Sequence, residues 1–395
     1  MIALRHKFLS ALLATTLILP AAIIAADPQT LNVGAIFSVS GRAKALGQPE
    51  KETVVLVTDM INKAGGINGS RLHVVVEDDD TSESAAMAAA DKLINQDKVL
   101  AIIGPSISGI SLKVKPVCES AGVPMVSCAA AEAIVTPPET SRYIFKTPQL
   151  DSHVAVRILE HMKQNGITKI FVLRETSPFG EEGAGKIRHY APGLGIEVVG
   201  EETFKPRDTT MTDQLKKAGE RGAQAVVNWS IPPTQTIIPK DMRRIGMNVP
   251  LYSSHSFGNP KLLKAAGPAG EGMVFPGGRL LVAPDLPADH PHKSMLMAYK
   301  QAYEKEYNTP VTTFGGHAYD AIWLVANALK AMNVTPQMNP AQARRAVRDG
   351  IEQTRGWQGT GGRFNMTPTD HTGLDKNDSL EMLTVKNGAI VRLVP

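Results

Sequence analysis

Residues Ile102 to Ser111 read Ile-Ile-Gly-Pro-Ser-Ile-Ser-Gly-Ile-Ser. An apolar pair closing a strand runs into a Gly-Pro-Ser turn, and a helical pattern follows it. Such a turn exposes backbone N–H groups at a helix start, where the dipole favours an anion. Ser106 and Ser108 add hydroxyl donors at the same place. A plain helix cap by Ser108 accounts for the residues equally well. Neither serine sits in a G-x-S-x-G elbow: Ser106 has Ser108 where the second glycine belongs, and Ser108 has neither glycine. The Gly-Lys-Ser/Thr of a phosphate loop is also missing. The next strand ends in a similar tip, Val126-Ser-Cys-Ala-Ala-Ala-Glu132, whose small residues let a ligand approach the backbone. Two adjacent donor-rich tips point to a pocket for a small anion.

Outward from this stretch, short apolar runs alternate with amphipathic segments. The pattern predicts strands at 31–36, 71–77, 99–103, 124–127, 169–173, 197–202, 223–229 and 250–253. Helices are predicted at 50–64, 82–95, 110–121, 153–165, 182–190, 212–221 and 234–245. This alternation means an α/β protein with parallel sheets, whose ligands sit at the carboxyl ends of the strands. The series runs once over 31–127 and restarts over 169–253, so two domains are expected. Proline- or glycine-rich crossings are read at 136–151, 276–278 and 355–362. Helices are expected at 294–307 and 313–332, and a final hairpin at 380–386 and 389–394, turned by Asn387-Gly388.

The first 26 residues carry a basic start (Arg5, His6, Lys7), an apolar run and an alanine-rich end. They are expected to be a cleaved export signal, leaving a soluble chain outside the cytoplasm. A chain of 395 residues is too long for one ordinary core even without them. The net charge of +4 is too small to imply nucleic-acid or membrane binding. Cys118 and Cys128 lie at opposite ends of a helix-end-to-strand-end segment, too far apart for easy bridging, and are expected to be free thiols. Asp78, Asp79 and Asp80 read as a strand-end turn capping the next helix. No metal site, cofactor or nucleophile–base spacing is found, so no catalysis is expected.

Further stretches carry a family resemblance. They are Gly34-Ala-Ile-Phe-Ser-Val-Ser-Gly41, Ile61-Asn-Lys-Ala-Gly-Gly-Ile-Asn-Gly69, Asp78-Asp-Asp, Ile103-Gly-Pro, Pro124-Met-Val-Ser, Phe179-Gly-Glu and Tyr319-Asp-Ala. In their order and spacing the chain resembles periplasmic solute-binding proteins of the branched-chain amino-acid type, which feed ABC importers. The resemblance implies a type I periplasmic-binding-protein fold: two Rossmann-like lobes joined by three hinge crossings, closing on the ligand. The lobes are expected to comprise 27–149 with 278–357, and 150–277 with 358–395. The implied partners are a small carboxylate and an inner-membrane ABC permease. A monomer is expected. A sensor presenting its ligand to a receptor would use the same fold.

By position, the resemblance places Ser108, Ala129 and Ala131 on the tips that grip a ligand carboxylate, with Ser106 beside them. Relatives usually have Thr where this chain has Ala131. Phe179 stands where relatives often have Tyr, and Leu46 where they often have an aromatic residue; Trp229 is a further candidate wall. His255 aligns with the Glu that takes the ammonium group in leucine-type binders, unless the loop alignment slips. A buried ammonium needs an anion. An amino acid and an acid without an amino group both remain open, the second favoured; Glu132 or Asp151 is the acid that could still serve an amino group.

Overall fold

β1 (Thr30–Phe37) is an almost unbroken run of buried residues because both faces of its sheet are covered. It pairs in parallel with β2 (Arg71–Asp78) on one side and β3 (Ile102–Ile103) on the other. The sheet continues through β4 (Met125–Ser127) to β5 (Ile144–Lys146), in the order β2-β1-β3-β4-β5. Helices α1 (Lys44–Lys63), α2 (Glu83–Asn95) and α3 (Ser108–Ala121) make the crossovers. Ser82, rather than any of the three aspartates before it, caps α2 by accepting from the Ala85 N–H. The computed structural model describes residues 30–393; the expected export segment, 1–26, lies outside them.

A second sheet follows α4 (Asp151–Gln164). Its parallel part is β6 (Lys169–Glu175), β7 (Glu197–Phe204), β8 (Ala225–Trp229), β9 (Leu251–Ser253) and β10 (Val274–Gly277). Between them run α5 (Pro178–Tyr190), α6 (Thr212–Glu220), α7 (Ile237–Arg244) and α8 (Pro260–Ala266). Three helices then return to the first sheet: α9 (Lys293–Tyr307), α10 (Thr313–Ala331) and α11 (Pro340–Glu352). The chain ends with a small hairpin, β11 (Trp357–Gly359) and β12 (Gly362–Phe364), the turn α12 (Lys376–Ser379), and an antiparallel pair, β13 (Glu381–Lys386) and β14 (Ala389–Arg392), added beside β10. No helix among the described residues is long and apolar enough to cross a membrane.

Each sheet has apolar packing on both faces. The first lies between α2 and α3 on one side and α1, α10 and α11 on the other. The second lies between α4 and α5 on one side and α6 to α8 on the other. The chain passes between the lobes after β5, after β10 and near α12. Gln149, in the first passage, ties it to the last: its amide donates to the carbonyls of Gly361 (3.3 Å), in the β11–β12 turn, and Ser379 (2.9 Å).

The packing departs from the expected 357/358 lobe boundary. Phe364, Met366 and Leu374 belong to the first-lobe core, and the His371 ring stacks on Phe145 with 4.2 Å between centroids. The third passage therefore follows Leu374. The glycines at 355–362 serve the β11–β12 turn and its contact with Asp320, which accepts from the N–H groups of Thr360 and Gly361.

Seven elements were not foreseen: β5, β10, α8, α11, β11, β12 and α12. β5 is three residues within a proline-rich stretch, and β10 contains Pro276 and Gly277. In α11 the apolar stripe Ala343, Val347, Ile351 is interrupted by buried Arg344, whose guanidinium donates to the carbonyls of Val99 and Ile94. α1 starts well before the predicted residue 50 despite Pro49. Pro49 lacks the N–H that would bond the Ala45 carbonyl; the Asn259 amide of the second lobe donates to that carbonyl instead, at 3.3 Å.

Candidate functional site

The carboxyl ends of the strands of both sheets face one cavity of about 250 Å³ between the lobes. The turn quoted first, from Ser106 to Ile110, forms one wall. α3 begins there without a side-chain cap on its first turn. Uncapped N–H groups at a helix start carry the positive end of the dipole, and here they face a cavity. Ser108 is the first residue of the helix and does not cap it. Its hydroxyl accepts from the Ala131 N–H at 3.2 Å, leaving its own proton for a ligand.

The neighbouring donors are differently engaged. The Ser106 hydroxyl donates to the buried Glu50 carboxylate and accepts from the Ser38 N–H at 3.0 Å, so its proton is already committed. Burial holds the Glu50 carboxyl well above the usual range. Ala129 lines the cavity, but its N–H donates to the Ser127 hydroxyl at 3.1 Å. Ala131 is fully buried behind the wall and does not line the cavity. The donors left uncommitted toward the cavity are thus the first turn of α3 and the Ser108 hydroxyl, and Ala129 shapes the space beside them.

The second lobe supplies Thr176 to Phe179, Ile231, His255 and Ser256. Ser177 caps α5 by accepting from the Gly180 N–H, and Pro178 starts the helix, which brings Phe179 to the cavity. The Phe179 and His255 rings meet edge to face, 5.8 Å between centroids. Trp229 does not line the cavity; it stands behind, 6.0 Å from Phe179, and its indole fills the space beside Gly183, where a Cβ would come within 1.9 Å of the ring. Leu46 lines the opposite wall, from α1.

Among the lining residues that escaped sequence reasoning are Arg42, Phe314 and His317. Phe314 and His317 sit in α10, far from any strand end, in a helix buried on all sides, so periodicity marks them as core. Arg42 follows Gly41 in the turn that leads into α1. Its guanidinium pairs across the lobes with Glu175 at 3.5 Å.

Charge in the site is scarce and paired. Glu83 is the one carboxylate residue on the lining, and it pairs with Lys113 at 3.5 Å. Neither alternative acid lines the cavity. Glu132 pairs with Lys186 across the lobes at 2.6 Å. Asp151 is fully buried and neither of its carboxylate oxygens has a partner; burial, with Glu182 nearby, pushes its carboxyl well above the usual range. Burial also drives the two imidazoles neutral. His255 titrates well below the ordinary range through burial, His317 and Lys146, and His317 is pushed down to about 3 by burial and Lys146. The free cysteines are both buried, Cys128 on the cavity wall and Cys118 at the far side of the sheet core.

The chain and its fold are similar to known proteins. A leucine-, isoleucine-, valine-, threonine- and alanine-binding protein of Pseudomonas aeruginosa is 26% identical over 91% of this chain and 88% of its own length. An extracellular ligand-binding receptor of Rhodopseudomonas palustris superposes with a TM-score of 0.86 at 28% identity, covering 92% of this chain and 99% of the other. The branched-chain amino acid transporter substrate binding protein of Streptococcus pneumoniae, solved with isoleucine, superposes with a TM-score of 0.79 at 25% identity, covering 91% and 97%. The family model described as periplasmic binding protein matches residues 30–389. With both lobes, the cleft between them and this match across nearly the whole described chain, the protein belongs to the periplasmic binding protein family, in its branched-chain amino-acid type.

Proposed function

We propose that this chain is the periplasmic solute-binding component of an ABC importer, and that it captures a small monocarboxylate with an apolar body and no ammonium group. The carboxylate sits on the first turn of α3 and the Ser108 hydroxyl, the body lies against Phe179, Leu46 and Phe314, and closure of the lobes about the three passages buries it. The observation that carries the reading is the absence of a free acid among the lining residues: Glu83 is ion-paired, and His255 occupies the position resembling the ammonium-binding Glu. An α-ammonium there would lose its water without gaining a counter-charge.

A titration of the purified protein by calorimetry with leucine, isoleucine, benzoate and phenylacetate tests this. At least one acid without an amino group is expected to bind tightest. A leucine or isoleucine affinity roughly tenfold above both acids, about 1.4 kcal/mol, would replace this reading. The replacement is the amino-acid specificity in the name of the Pseudomonas relative and seen in the isoleucine complex from Streptococcus.

A further inference from the structure

Two imidazoles from opposite lobes line the cavity, and an anion grip on α3 leaves both without a task. His317 is on α10 of the first lobe and His255 is in the turn after β9 of the second. The residues are 6% and 5% exposed, and each ring has a buried Nδ1 with no hydrogen-bond partner. Buried polar groups are almost always paired, because an unmet group keeps its full desolvation cost. Neither ring's Nε2 makes a hydrogen bond to the described protein, so on the wall of the cavity each ring keeps bonding capacity for a ligand.

Their chemistry limits what that ligand group can be. A neutral imidazole offers one donor and one acceptor nitrogen. Burial, with Lys146 nearby, keeps both rings neutral. A ligand ammonium would meet no anion. A second ligand carboxylate would need a cation, and Arg42, the cation on the lining, is turned to Glu175. A hydroxyl, which donates and accepts at once, satisfies one nitrogen of each ring.

We infer that His317 and His255 select the ligand by an uncharged hydroxyl, so that the preferred class is hydroxylated monocarboxylic acids. This rests on the monocarboxylate reading above and narrows it. Because the rings belong to different lobes, a hydroxyl bound by both also favours the closed arrangement over an open one.

Matched probes test it: benzoate against 4-hydroxybenzoate, and phenylacetate against mandelate, titrated into the full-length mature protein alongside leucine. In at least one pair the hydroxylated acid is expected to bind at least tenfold tighter. His317→Leu and His255→Leu should each shrink that ratio to within about threefold. His317→Gln, which keeps a donor and an acceptor, should retain the preference, and melting curves establish that each variant is folded. Equal affinities within both pairs would overturn the inference and leave the monocarboxylate reading standing. So would variants that weaken both members of a pair alike. Leucine binding tenfold tighter than all four acids, or no binding of any of the four, would overturn both.

Discussion

Glu132 Oε2 and Lys186 Nζ stand 2.6 Å apart across the rim of the cleft, the first from the loop after β4, the second from α5. The pair is reinforced on both sides. The other Glu132 oxygen accepts from the Ser152 N–H at 2.6 Å, and Glu182, one turn before Lys186, accepts from the Glu132 N–H at 2.8 Å. These bonds exist where the lobes are together, so they bias closure rather than the fold of either lobe.

Lys186→Met is therefore expected to weaken ligand binding about three- to tenfold, which is roughly 0.6–1.4 kcal/mol for a partly buried, charge-assisted pair. The melting temperature of the ligand-free protein should hardly move. Calorimetry and a melting scan on the same preparation check this; an unchanged affinity would reduce the pair to surface decoration.

Ser108→Ala should cost about 1–3 kcal/mol of carboxylate binding, the usual loss of one charge-assisted hydrogen bond. The variant also removes the acceptor of the Ala131 N–H, so a fall in stability of up to about 1 kcal/mol should accompany it. Affinity for the tightest-binding acid, measured by calorimetry, decides the matter. No change there would make Ser108 a support for the Ala131 loop alone.

Cys118 and Cys128 should both react with an alkylating reagent once the protein is denatured without reductant. In the native protein both should be slow, because burial raises their thiols, that of Cys118 to about 12. Mass spectrometry finding no modified thiol and a mass two hydrogens lighter would establish a disulfide.

Acid should weaken the fold in part through His317. Its folded value, about 3, lies below the ordinary imidazole value of 6.5, so the unfolded chain binds more protons throughout that interval. Its contribution is fully present above pH 6.5 and is lost as the pH falls toward 3. Asp320, raised to about 7 by burial, works in the opposite sense, losing stability as the pH rises through 7. Comparing variants removes the shared background. Between pH 7 and pH 4, His317→Gln should lose less stability than wild type, by up to about 3 kcal/mol. Parallel denaturant curves at the two pH values would show the ring is already charged or exposed.

Much of this architecture was legible because its strands are buried on both faces and its helices punctuate them regularly. All eight strands expected over 31–253 exist, and the restart of the pattern after β5 marked the second lobe. What failed has local causes. The stripe of α11 is broken by Arg344, and the glycines at 355–362 resemble a hinge while closing a hairpin that stays with the first lobe. Within the site, Ser108, Phe179, His255, Leu46, Ala129 and Ser106 converge on one cavity, whereas Ala131 and Trp229 stand one layer behind it. Alternation can indicate that a residue is buried, but it cannot distinguish the wall of a cavity from the layer supporting that wall. For the same reason His317, in a helix buried all round, gave no signal.

The interleaving of the chain between the lobes also sets an order of assembly. One face of β1 to β5 is covered by α10 and α11, which are made only after the whole parallel part of the second sheet. The second lobe is nearly contiguous from α4 to β10 and needs only β13 and β14 to finish. A chain emerging from its amino end therefore has the materials for the later lobe first, while the face holding Val33, Phe37 and Ile103 waits with only α1 of its three helices. Pulse-labelled hydrogen exchange during refolding should protect β6, β8 and β9 before β1 and β3. The first half of the chain expressed alone should be sticky rather than native. In the cell, that waiting surface is what a holding chaperone would meet.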